Sequence, residues 1–170
     1  MWVLIEEEVA LREGLLEVAK LMAVSAKTAP KAKGIDNIII KIIDKPEELE
    51  RLASKMEELS KKYGKFFLRD ADNIRNSSVV VLIGCKYIEM KLINPEKYKV
   101  HVDIVCSLLN LGIAIGSAVK TASIHNVDNR IMYSAGLAAQ ELGLIDADVV
   151  MAIPLSATGK NIYFDRKPKK

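Results

Sequence analysis

Two short polar segments of this 170-residue chain carry the side chains best suited to holding a ligand. The first, Thr28-Ala29-Pro30-Lys31-Ala32-Lys33-Gly34-Ile35-Asp36-Asn37, sets two ammonium groups beside a glycine. Lysines there suit a phosphate or an electron-rich ring, and Gly34 lets a ligand approach the backbone. The same composition also makes an ordinary turn between a helix and a strand. The second, Asn126-Val127-Asp128-Asn129-Arg130, precedes a helix whose N-terminal amides suit an anion, although Asp128 is equally an adequate cap.

Other chemistries fail on residue type or spacing. There is no Gly-x-Ser-x-Gly elbow, no His-Glu-x-x-His pair and no Gly-x-Gly-x-x-Gly turn. Thr158-Gly159-Lys160 lacks the phosphate-loop context, with Pro154 where glycine is needed and Asn161 where a magnesium-binding hydroxyl belongs. Cys85, His101, Cys106 and His125 match no common zinc spacing, so no metal site is expected, and two cysteines fall short of the ligands an iron–sulfur cluster needs. The net charge of +3 resides entirely in the last six residues, Asp165 to Lys170. The rest of the chain is neutral and offers no field for a phosphate backbone, so no nucleic-acid partner is expected.

Met1 to Ile5 runs directly into Glu6, Glu7 and Glu8 without a leader pattern, which points to the cytoplasm. The 16 uncharged residues from Ile104 to Val119 are short of a membrane span and read as a helix buried on all sides of a soluble core. Gly112 and Gly116 within it would then mark the close approach of a backbone or a ligand.

The elements that must position these residues follow from periodicity. Leu11, Leu15, Val18 and Met22 make a helical stripe over residues 8 to 26, and the isoleucine run from Asp36 to Ile43 is a buried strand. A second helix carries Leu49, Leu52, Met56 and Leu59 and stops at Gly64. Phe66 to Leu68 is a short strand candidate, Ser78 to Ile83 a central strand, and Ile88 to Leu92 a strand with one wet face or a loop. Helices follow over His101 to about Ser123 and Asn129 to Leu142, and Asp148 to Ile153 is the last strand. The order implies an α+β fold, a mixed sheet covered by helices, in one domain over residues 1 to 153. Residues 154 to 170 read as a C-terminal arm and basic tail that could dock on a partner subunit.

At these residues the chain resembles a known family. Ala19-Lys20-Leu21-Met22-Ala23, Thr28 to Gly34, Leu111-Gly112-Ile113-Ala114-Ile115-Gly116-Ser117-Ala118, Val127-Asp128-Asn129-Arg130-Ile131-Met132 and Glu141-Leu142-Gly143-Leu144 are similar to a prokaryotic family of unknown function described as containing a ferredoxin domain. Typical members carry a cysteine-rich insert before the Leu-Gly-Ile-Ala block, where this chain offers only Cys85 and Cys106, so no iron–sulfur cluster is expected. More distantly, the order of elements resembles the nitroreductase fold, a dimeric architecture that binds flavin mononucleotide (FMN). Glu6, Glu7 and Glu8 stand where that fold's basic phosphate clamp precedes the first helix. The resemblance implies a homodimer with FMN near Lys31, Lys33, Asn37, Gly116, Ser117 and Arg166, acting as a flavin-dependent oxidoreductase. The alternative is a non-catalytic dimeric scaffold or partner-binding module.

Overall fold

The computed structural model describes residues 4 to 165. Five helices and four strands follow one another as α1 (Glu7–Thr28), a single 3-10 turn (Ala32–Gly34), β1 (Ile38–Ile43), α2 (Pro46–Tyr63), α3 (Phe66–Arg75), β2 (Val79–Cys85), α4 (Val102–Ile124), β3 (Asp128–Asn129), α5 (Tyr133–Glu141) and β4 (Val149–Ser156). The strands form one sheet in the order β1-β2-β4-β3. The expected mixed sheet narrows to one that is antiparallel at each pairing. Two helices rather than one separate β1 from β2, so the chain re-enters the sheet at the end where β1 stops, with Val80 opposite Ile43.

Alternation along the strands builds two cores. Val79, Val81 and Ile83 point to the α1/α4 face, where they meet Leu15, Met22, Leu111 and Ala118. Val80 and Leu82 point the other way, onto Leu52, Met56, Phe67 and Ala138 of α2, α3 and α5. Burying β2 over its whole length explains its unbroken apolar run. Gly136 lets α5 lie directly on β4, because a Cβ there would sit 2.1 Å from the Val150 carbonyl oxygen.

Four expectations are corrected. Phe66 to Leu68 begins α3 instead of forming a strand, because Gly64, at φ 119°, reverses the chain and Phe67, Ala71 and Ile74 then form a helical stripe. The last helix starts at Tyr133, since Asp128 and Asn129 pair with β4. Strand β4 runs on to Ser156, so Pro154 and Leu155 belong to the sheet, and Tyr163 of the expected arm is buried in the core of its own subunit. Finally, α4 is not buried all round. Ile104, Leu108, Leu109 and Ile113 are exposed, and a Cβ added at Gly112 or Gly116 would meet nothing within 4 Å. The helix is long and apolar enough to cross a membrane, yet its other face packs into this domain's core. Residues 86 to 101 form an irregular strap in which Met90 is buried.

Candidate functional site

The α1–β1 turn spends most of its polar groups on its own fold. The Lys31 ammonium donates to the carbonyls of Ala26 (3.2 Å), Ala29 (2.7 Å) and Lys27 at the end of α1, where the helix carries its partial negative charge. Its side chain is only 6% exposed. Asp36 pairs with Lys27. Burial pushes its carboxyl up, but the Lys27 hydrogen bond and charge outweigh that and hold it below the ordinary range. Asn37 is buried and bridges two neighbours, donating to the Lys86 carbonyl (2.8 Å) and accepting from Asn110 of α4 (3.0 Å). Asn110 in turn accepts from the Ala32 amide at 2.8 Å. Lys33, at φ 54°, projects over the strap and donates to the Met90 carbonyl at 3.1 Å.

Beneath the strap, Asp103 of α4 is completely buried and its Oδ2 accepts from the amides of Met90 (2.9 Å) and Lys91 (3.2 Å). The structure therefore gathers Lys31, Lys33 and Asn37 on one turn. Gly116 and Ser117 stand about 10 Å beyond Asn110 along α4 by helical rise, and Arg166 lies outside the described residues. Cys85 is buried, and desolvation together with the Asp148 charge pushes its thiol up, which makes it a poor nucleophile. Among the described residues no group of three or more His, Cys, Asp or Glu side chains is arranged to hold a metal ion.

A second region was only partly legible from the sequence. A cavity of about 560 Å³ lies between α3 and the C-terminal turn, lined by Arg69, Asn73, Arg130 and the segment from Ile162 to Asp165. Of the Asn126 to Arg130 block, Arg130 lines the cavity and Asp128 holds the turn behind it. Asp128 accepts from Asn161 (2.9 Å), the Arg130 guanidinium donates to the Tyr163 carbonyl (3.2 Å), and the same guanidinium lies 5.3 Å from the Phe164 ring centre. The Tyr163 hydroxyl meets Ser77 at 2.8 Å, and burial pushes its pKa well up, so it stays protonated. Arg69 is anchored by Asp70 (2.7 Å), whose other oxygen accepts from Ser134 (2.6 Å). Two guanidinium groups, an amide and an aromatic ring, with Asp165 also in the lining, surround a cavity of a size that suits a phosphate or carboxylate carried on a planar body. Arg69 and Asn73 were missed because no motif or element was assigned between Leu68 and Ser78; only the returning C-terminal turn makes them a wall.

Residues 102–166, which include α4, the Asn126 to Arg130 block and the cavity's C-terminal turn, match a family model described as "Uncharacterized protein containing a ferredoxin domain (DUF2148)". An uncharacterized protein of Archaeoglobus fulgidus is 44% identical over 184 aligned positions, which cover 98% of this chain and 100% of the relative. The chain belongs to this family. The likeness in structure is to the nitroreductases. The NADPH:FMN oxidoreductase from Vibrio harveyi complexed with NAD+ matches at a TM-score of 0.61 and 14% identity, covering 99% of this chain and 66% of that one. The hypothetical oxidoreductase YcnD from Bacillus subtilis matches at 0.59 and 12%, covering 90% of this chain and 61% of that one. A nitroreductase by assignment from Desulfovibrio desulfuricans, in complex with FMN, matches at 0.60 and 14%, covering 89% and 79%. The family's fold is thus the nitroreductase fold, and this chain spans roughly two thirds of the first two proteins' length. Both resemblances expected from the motifs hold.

Proposed function

We propose that this protein is an FMN-binding, oxidoreductase-type homodimer whose flavin sits where the two regions meet across the subunit interface. The observation that carries the reading is the cavity of about 560 Å³ with Arg69, Asn73 and Arg130 in its wall. Its volume lies within the roughly 300–1,000 Å³ of cofactor pockets, and its donors match a phosphate and a flavin ring edge. Arg69 and Arg130 hold the phosphate. Lys33 and the Gly116-Ser117 stretch of the second subunit close the site from the other side. Lys31 and Asn37 set the turn's shape, since their polar atoms are already used within the chain. When bound, FMN supplies hydride-transfer chemistry, and the protein's part is to orient it and to neutralise its charge. The exposed Ile104, Leu108, Leu109 and Ile113 face supplies the dimer contact.

The test is the absorption spectrum of protein purified without added cofactor, followed by titration with FMN. A flavin spectrum, or saturable quenching of flavin fluorescence at micromolar protein that weakens about tenfold or more in Arg130→Ala, supports the reading. Colourless protein that quenches nothing overturns it. That result favours the dimeric scaffold, a reading that Lys31 and Asn37, already engaged in the fold, would suit.

A further inference from the structure

The end of the sheet opposite the strap carries charges that the fold leaves uncommitted. There β1 stops with Ile43 facing Val80, and β4 closes with Leu155 facing Val79. The first turns of α1 line the same space, and three cavities adjoin around Arg12. One of about 270 Å³ has Val9 and Leu16 in its wall and Glu13 and Asp44 beside Arg12. A second of about 270 Å³ shares Arg12 and Asp44 with the first and adds Glu8 and Ser78. The third, of about 170 Å³, shares Glu8, Arg12 and Ser78 with the second and reaches Leu15 and Ser156. Each alone is smaller than the roughly 300–1,000 Å³ of small-molecule sites, but all three meet at one guanidinium.

That guanidinium is unpaired. Glu8 and Arg12 stand four residues apart on α1, the spacing at which glutamate and arginine normally join, yet no ion pair links them. Arg12 reaches only the Asp44 carbonyl, at 3.4 Å. The carboxylates of Glu8, Glu13 and Asp44 have no ion-pair partner among the described residues. Arg75, also in the wall, is taken up by Glu50 (2.9 Å) and Glu57 (2.6 Å). The space is thus left with one cation and three carboxylates. The positive end of the α1 dipole accounts for Glu8, but it gives no reason for a free arginine one turn further on. The floor adds an unused hydroxyl. Ser156 is 2% exposed and lines the third cavity, and its side chain has no hydrogen-bond partner among the described residues. Burying a hydroxyl without a partner is unfavourable, and a ligand's acceptor relieves it.

We infer that this space binds a free basic α-amino acid. One carboxylate and two cationic groups are the smallest set of charges that answers one free guanidinium and more than one free carboxylate. The ligand's carboxylate takes the Arg12 guanidinium, with the Ser78 and Ser156 hydroxyls as further donors. Its α-ammonium lies against Glu8, and its methylene stem follows Val9 and Leu16 so that the side-chain cation meets Asp44 and Glu13.

The experiment is isothermal titration calorimetry of the full chain with L-lysine at low salt. One-site binding with a Kd below about 1 mM is expected. Each charge of the ligand is then removed in turn: cadaverine lacks the carboxylate, 6-aminohexanoate the α-ammonium and norleucine the side-chain cation. All three should bind at least about tenfold more weakly, as should lysine to Arg12→Gln and to Ser156→Ala, whose folding is checked by circular dichroism and thermal midpoint. No saturable binding of lysine, equal binding of cadaverine or norleucine, or unchanged binding to Arg12→Gln overturns the inference. So does equal binding of Nα-acetyl-lysine amide, which would assign the site to a lysine side chain of a peptide. Arg130→Ala, the variant that tests the cofactor cavity, should leave lysine binding unchanged; a matching loss would place the ligand in that cavity instead.

Discussion

The two helical layers on either side of the sheet are finished to different degrees. On the α2 side, charged residues cover the outer face of α2 itself, Arg75 ties α3 to α2 through Glu50 (2.9 Å) and Glu57 (2.6 Å), and Leu49, Leu52, Met56 and Leu59 all point inwards, although Phe66 and Leu68 of α3 are exposed. On the opposite side, α1 and α4 pack well inwards but leave Leu21, Val24, Leu108, Leu109 and Ile113 in solvent. Core packing alone therefore does not account for the composition of the α1/α4 layer.

The largest expected effect tests the sealed layer. Gly136→Ala drives a methyl group into the Val150 main chain, which cannot yield as a side chain would. Unfolding in urea should show a loss above the usual ~1–3 kcal/mol of overpacking. A loss under about 1 kcal/mol would mean that α5 does not ride on β4 as described. Next in size is the open layer. Leu109→Glu with Ile113→Glu should convert a dimer to a monomer in light scattering while changing monomer stability by less than about 0.5 kcal/mol. A wild-type chain that scatters as an 18.8 kDa monomer at all concentrations would remove the contrast between the layers. Gly112→Ala, on the same open surface, should raise stability by about 0.5–1 kcal/mol, the opposite sign to the change at Gly136.

The smallest effect is in acid. Hydrogen bonds from Arg75 hold Glu50 and Glu57 below the ordinary carboxyl value of 4.5. Their contribution is therefore complete above that value and is lost as the pH falls through the lower folded-state values. Urea midpoints measured from about pH 6 down to about pH 3 should fall less steeply in Arg75→Ala than in the wild type. Both carboxyls are exposed, so the difference will be slight and weaker still in high salt.

Much of the fold was legible because periodicity reports which face is buried. The α2 stripe, the Val/Leu/Ile run of β2 and the α1 stripe from Leu15 onwards lie where they were expected, whereas Leu11, expected in the α1 stripe, is exposed. Phe66 to Leu68 misled because three apolar residues fit either period, and the helix is recognisable only when Ala71 and Ile74 are counted with Phe67. Apolar composition likewise cannot distinguish a helix surrounded by its own core from one whose second face awaits another chain, which is how α4 was misread. The candidate site was less legible still. Lys31 looked like a free cation in the sequence, yet the carbonyls of Ala26, Lys27 and Ala29 surround it. Arg69 acquires its setting from residues more than ninety positions away.

Asp103 has a consequence for how the strap opens. One carboxylate oxygen holds the Met90 and Lys91 amides together, while the other oxygen is buried without a partner. Releasing either amide alone would leave a desolvated charge half satisfied, so partial opening is the least favourable arrangement of all. The two amides should therefore exchange their hydrogens with solvent at one shared rate, in step with each other and far more slowly than the neighbouring exposed positions 93 to 100. A segment with no regular secondary structure would then behave as a latch with two positions, shut or fully released.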